Sequence, residues 1–164
     1  MRLFAAAART CDAQTCDPVL ASVGNARSED HIDHLPEDKQ RKLREITAIF
    51  TEPREGSPIG MLILSGSHAR GDWVEDTETG YQSDYGFLVV LETAAQVADV
   101  MLWREIEQRV RAVIGDTPLT LIVHDVKFVN REIRIGQYCF SDIANEGVML
   151  YDSRKNEPTT LCTS

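Results

Sequence analysis

The chain has 164 residues, 43% hydrophobic and 26% charged, the balance of one globular domain that buries about two-thirds of its extended surface. Twenty-six Asp and Glu against seventeen Lys and Arg leave a net charge of −9, which repels a phosphate backbone and argues against nucleic acid as a partner. No stretch approaches the ~20 apolar residues of a membrane span, so no membrane association is expected.

Residues 1–30 alternate small and polar types without a sustained period and are read as a disordered tail. The apolar run after Met1 stops at Arg9, too soon for a secretory signal core, so a cytoplasmic protein is expected. Cys11, Cys16, Cys139 and Cys162 complete no zinc pattern and read as free thiols. His31 and His34, three apart but without a matching carboxylate or thiol, read as surface histidines.

Pro36 followed by Glu37 and Asp38 marks a helix start, and Leu43, Ile46, Ile49 and Phe50 give it one apolar stripe. Pro53, Gly56 and Pro58 end it, and Ile59 to Leu64 is a short apolar run expected as a buried strand. Residues 72–82 are too polar for a core and read as a surface loop whose acids are solvated. A second buried strand is expected over Phe87–Leu91. Thr93 with Gln96 spells a capping box for a helix burying Val97, Val100, Met101, Ile106, Val110 and Val113.

Gly115 to Pro118 breaks that helix, and Leu119–Val123 reads as a third strand. Val126 to Ile135 is expected as a helix carrying Phe128, Val129 and Ile133, with Gly136 as its stop. Gly147–Tyr151 reads as a short edge strand, and residues 154–164 as a polar C-terminal tail. The domain proper is thus expected over 35–153, with an α/β (α+β) fold of a small mixed sheet packed against helices.

Two stretches carry chemistry. In Leu62-Ile63-Leu64-Ser65-Gly66-Ser67-His68-Ala69-Arg70-Gly71 an apolar run stops at a Gly-Ser pair followed by a basic turn. Glycine lets the backbone approach a phosphate, Ser67 offers a hydroxyl and Arg70 a planar cation. In Gln82-Ser83-Asp84-Tyr85-Gly86 an acid stands at the mouth of the next apolar run. Strand residues two apart share a face, so Asp-x-Asp there would hold magnesium on a triphosphate; here the second position is Gly86. Trp73, Tyr81 and Tyr85 flank these stretches as weaker candidates for stacking on a base, and His124 as a candidate base.

Gly-Ser, then Arg-Gly, then Ser-Asp running into an apolar strand resembles the nucleotidyltransferase superfamily related to DNA polymerase β. The likeness is closest to small bacterial (MNT-type) domains that partner, or are fused to, a HEPN domain. It covers about residues 35–153 and includes the stretches 121–130 and 136–143, then Glu146-Gly147 and Leu150-Tyr151-Asp152, which look like the stretch joining that domain to a HEPN partner. The resemblance implies a minimal nucleotidyltransferase fold. It makes Gly66, Ser67 and Arg70 nucleotide-binding residues and Asp84 a catalytic magnesium ligand. The implied reaction transfers a nucleoside monophosphate from a nucleoside triphosphate, ATP foremost, to a hydroxyl acceptor. The family's second and third carboxylates fall on Gly86 and about Thr120, and relocation to Asp72, Glu75, Asp76, Glu78 or Asp125 is the remaining route to a full set. The alternative is a catalytically degenerate module, antitoxin-like, that binds a nucleotide or a HEPN-domain protein.

Overall fold

Residues 32–52 and 59–153 are described by a computed structural model. The tails 1–30 and 154–164, the helix breakers Pro53, Gly56 and Pro58, and Cys11, Cys16, Cys162 and His31 lie outside those residues. The apolar runs become strands β1 (Ile59–Ser65), β2 (Tyr85–Leu91) and β3 (Leu119–Asp125), joined by β4 (Val148–Asp152). They pair in the order β3-β2-β1-β4, with β1 antiparallel to β2 and β4, and β2 parallel to β3. The helices are α1 (Glu37–Thr51), the single turn α2 (Ser67–Arg70), α3 (Val100–Ile114), α4 (Val126–Arg134) and α5 (Tyr138–Glu146). The expected mixed sheet packed against helices is therefore present.

Both faces of the sheet are covered. Leu62 and Leu64 of β1 and Phe87 and Val89 of β2 pack with Leu43, Ile46 and Phe50 of α1 and with Ile106 and Val110 of α3. Their neighbours Met61, Ile63, Leu88 and Val90 face the other way, onto Val129 of α4 and Phe140 and Ile143 of α5. This double burial is why β1 and β2 read as continuous apolar runs and not as alternating ones. Each fully buried aliphatic side chain here contributes about 1.5–3 kcal/mol.

The start of α3 differs from the sequence expectation. Thr93 forms no side-chain cap; Ala94–Ala98 winds as a 3₁₀ turn, and Asp99 caps α3 by accepting from the Leu102 N–H at 3.1 Å. That extra turn rotates the buried stripe onto Trp103, Ile106, Val110 and Ile114 and leaves Val100 and Met101 exposed, with Val97 and Val113 only partly covered. The Trp103 indole N–H closes the turn by donating to the Gln96 carbonyl at 2.9 Å.

The segment after α4 folds back. α5 lays Phe140 and Ile143 on the sheet, and its exit into β4 runs so close that a Cβ at Gly147 would clash with the Ile143 carbonyl. Phe128 and Ile133 pack into this same layer. None of the described helices is long and apolar enough to cross a membrane.

Candidate functional site

Strand register gathers one end of the sheet. Ser65 at the end of β1 pairs with Gly86, and Gly86 pairs with Thr120 near the start of β3. Leu64 pairs with Val148, which brings the α5–β4 junction at Glu146 and Gly147 to the same end. The Gly66–Ser67 turn and Asp84, at the two sides of this register, therefore share that end. Gly66 has φ 76° and ψ −154°, a conformation open only to glycine, while nothing lies within 4 Å of where its Cβ would be. The glycine there is required by backbone conformation and leaves open space beside the turn.

Asp84 is exposed and its Oδ2 accepts from the Thr120 hydroxyl at 2.6 Å. Thr120, where the resemblance places a carboxylate, thus acts as a hydrogen-bond donor to the acid that is present. Opposite Gly86, Ser65 fills the space a side chain would take: a Cβ at 86 would come within 2.7 Å of its Oγ. The face is therefore built around one carboxylate, with hydroxyls at Ser65 and Thr120.

Arg70 reaches this end but is engaged. Its guanidinium donates to the Asp72 carboxylate at 3.3 Å and to Glu146 Oε2 at 3.1 Å. The hydrogen bonds to Glu146 and then Asp72 raise its pKa further above an already high value. To hold a phosphate it must exchange these partners, which exposed side chains do at low cost.

Behind the site lies a cluster that residue pattern alone offered little reason to expect. His68, 1% exposed, places Nδ1 2.9 Å from the Asp84 carbonyl and stacks on Tyr85 with ring centroids 4.0 Å apart. Lys39, 5% exposed, holds its ammonium 4.3 Å over the Trp73 ring and forms an ion pair with Glu75. Burial lowers the Lys39 pKa, but its Glu75 hydrogen bond and the nearby charges outweigh this and raise it overall. For His68, burial dominates and pulls the imidazole below its ordinary value. The one signal in the sequence was Lys39 itself, four residues before Leu43 on the buried stripe of α1.

The remaining candidates are placed elsewhere or otherwise occupied. Tyr85 is 1% exposed and Trp73 covers Lys39 and stacks beside His68, so neither ring is free for a base; Tyr81 is 60% exposed on the hairpin between α2 and β2. Glu75 is paired with Lys39, and Asp76 accepts from the Glu78 and Thr79 N–H groups and the Thr79 hydroxyl. His124 pairs in register with Val90, four residues beyond the Gly86–Thr120 pair and so roughly 13 Å along the strands. It stacks on Phe128 at 3.9 Å and is too far from Asp84 to serve it as a base. Asp125 caps α4, accepting from the Lys127 and Phe128 N–H groups. His34 is exposed, and its Nε2–H donates to the His68 carbonyl at 2.9 Å.

Among the described residues, no three His, Cys, Asp or Glu side chains gather as a metal site. Asp84 and the Thr120 hydroxyl nevertheless fit one magnesium arriving on a triphosphate, because this ion takes one or two protein carboxylates and completes its shell with phosphate and water. They do not fit a two-metal clamp. A cavity of about 410 Å³ between α1 and β4, lined by Ile32, Leu43, Thr47 and Met149 among others, contains none of the site residues. No protein-family model, curated protein or solved structure matches the chain.

Proposed function

We propose that this chain is a nucleotidyltransferase-type domain that binds a nucleoside triphosphate, ATP foremost, with magnesium, and transfers the nucleoside monophosphate to a hydroxyl acceptor. The observation that carries the reading is the β1–β2 register, which sets the glycine turn and Asp84 at one end of the sheet. Gly66 and Ser67 hold the triphosphate, Arg70 exchanges its carboxylate partners for phosphate oxygens, and Asp84 is the protein's metal ligand. Magnesium, when bound, neutralises charge on the phosphates. The acceptor oxygen forms a bond to the α-phosphorus as the bond to pyrophosphate breaks, and the hydroxyl proton passes to Asp84 or to solvent. A cytoplasmic setting goes with this reading and with the unpaired thiol of Cys139.

A second reading rests on Gly86 and Thr120: with one carboxylate the domain binds nucleotide, or a HEPN-domain protein, without turnover. Each tenfold of lost rate is only about 1.4 kcal/mol, so a missing metal ligand suffices to silence transfer. Purified protein with magnesium and α-labelled ATP, with and without a HEPN-domain acceptor, separates the two. Label transferred to protein supports the first; saturable magnesium-dependent binding without transfer supports the second. Absence of nucleotide binding together with absence of a complex with the HEPN-domain protein refutes both.

A further inference from the structure

We propose that His68 is a positioning residue for this site, its Nδ1–H holding the Asp84 carbonyl to the Gly66–Ser67 turn so that the two halves stay in register. The inference rests on the nucleotide-binding reading for its consequence, though not for its geometry. The β1–β2 ladder ends at Ser65 and Gly86. Beyond it the chain leaves β1 into α2 and enters β2 from the hairpin, and no ladder bond joins them. His68 supplies the next link: it follows Ser67 directly, and its ring reaches across to the backbone of Asp84 at 2.9 Å.

Two aromatic rings and a second histidine brace the link. Tyr85 stacks on one face of the ring at 4.0 Å and 16°, and Trp73 lies parallel to it at 6.0 Å and 6°. The backbone carbonyl of His68 is tied in turn to His34 at 2.9 Å. A carbonyl only accepts, so Nδ1 carries the hydrogen and the tautomer is set.

An aromatic filler explains the stack but not the imidazole. Among the described residues the buried Nε2 has no hydrogen-bond partner, and such an atom costs free energy that a phenylalanine ring in the same slot would not. The ring nitrogen that does have a partner faces Asp84, and that contact distinguishes the histidine from a Phe.

The test compares His68→Phe, which keeps the stacked ring and removes the donor, with His68→Asn, whose amide restores a donor near the Nδ1 position. Each is made in the otherwise native chain and with Asp84→Asn. Amide hydrogen exchange across 66–71 and 84–86 is read without ligand, and the Kd for magnesium-ATP by calorimetry. His68→Phe is expected to speed exchange in both segments and to weaken magnesium-ATP about fivefold to tenfold, His68→Asn to restore both, and the Kd effect to vanish beside Asp84→Asn. Unchanged exchange in His68→Phe, or loss that His68→Asn does not recover, overturns the proposal. If the native chain binds no magnesium-ATP, the nucleotide reading fails and the exchange data alone decide the role of His68.

Discussion

Replacing Gly86 by Asp restores a second carboxylate two residues from Asp84, and the structure says what stands in its way. The new Cβ would lie 2.7 Å from Ser65 Oγ and 3.3 Å from the Ser65 carbonyl oxygen. The first contact is impossible but involves a side chain that can rotate; the second is tight and fixed. Overpacking of this kind costs about 1–3 kcal/mol. Ser65→Ala removes the first contact and leaves the second, so the double variant is expected to recover ~1–2 kcal/mol of that loss, while Ser65→Ala alone stays within about 0.5 kcal/mol of the native chain. Urea unfolding followed by Trp73 and Trp103 fluorescence measures the cycle. Like charge between residues 84 and 86 adds a penalty that magnesium relieves, so the double variant should also gain stability and nucleotide affinity on adding magnesium, relative to Ser65→Ala. Strictly additive stabilities would show that Ser65 is not the obstacle. No magnesium response would show that positions 84 and 86 do not face one site.

Glu146→Gln should loosen Arg70 and tighten magnesium-ATP by up to about fivefold, the scale of an exposed ion pair, as read by calorimetry; weaker binding would refute competition between Glu146 and phosphate. Glu75→Gln leaves the buried Lys39 ammonium without its carboxylate and should cost about 3 kcal/mol, whereas Lys39→Met should cost under ~1 kcal/mol because half-exposed Glu75 returns to water. Denaturant unfolding giving the reverse order would remove the ion pair as an anchor of the hairpin. Burial lowers the folded pKa of both His68 and His124 below 6.5, so as pH falls through that value the unfolded chain takes up protons first and stability drops. The melting temperature should fall below about pH 6.5, and a His68→Phe, His124→Phe double variant should flatten that slope; an equal slope would point to other groups.

What was legible in the sequence is what local pattern controls. The runs 59–64 and 87–91 read as buried strands because their burial is two-sided, and Leu43, Ile46 and Phe50 marked α1 because its buried face is one stripe. Thr93 and Gln96 had the spacing of a capping box, but spacing does not reveal a competing 3₁₀ turn; the true cap, Asp99, sits three residues before the N–H it receives. The site needed long-range register. Arg70 meets Glu146 across 76 positions and Thr120 meets Asp84 across 36, contacts set by strand pairing and not by anything nearby in sequence. Lys39 and His68 were hard to read for a different reason: charge and polarity favour the surface, and their burial depends on Glu75, Trp73, Tyr85 and the Asp84 carbonyl, brought in by the hairpin and β2.

Under the proposed nucleotide reading, the end of the sheet that carries the glycine turn has an unusual electrostatic character. Arg70 is already paired there with Asp72 and Glu146, and Asp84 stands exposed at the entry to β2. A bare triphosphate placed there would meet exposed Asp84 and an Arg70 already paired with two carboxylates, and the chain's overall excess of acids would add to the repulsion. The arrangement suits a nucleotide that arrives with its own cation. On the proposed reading the cation would take Asp84 as its one protein carboxylate at the strand mouth, and the anion would take Arg70 once Asp72 and Glu146 release it. In that exchange Thr120 serves to keep the Asp84 carboxylate oriented, which is a role a third acid at that position could not fill without repelling it. Gly86 and Thr120 thus both lie in register beside Asp84, and placing a carboxylate at position 86 tests whether the proposed transfer needs a second metal ligand there.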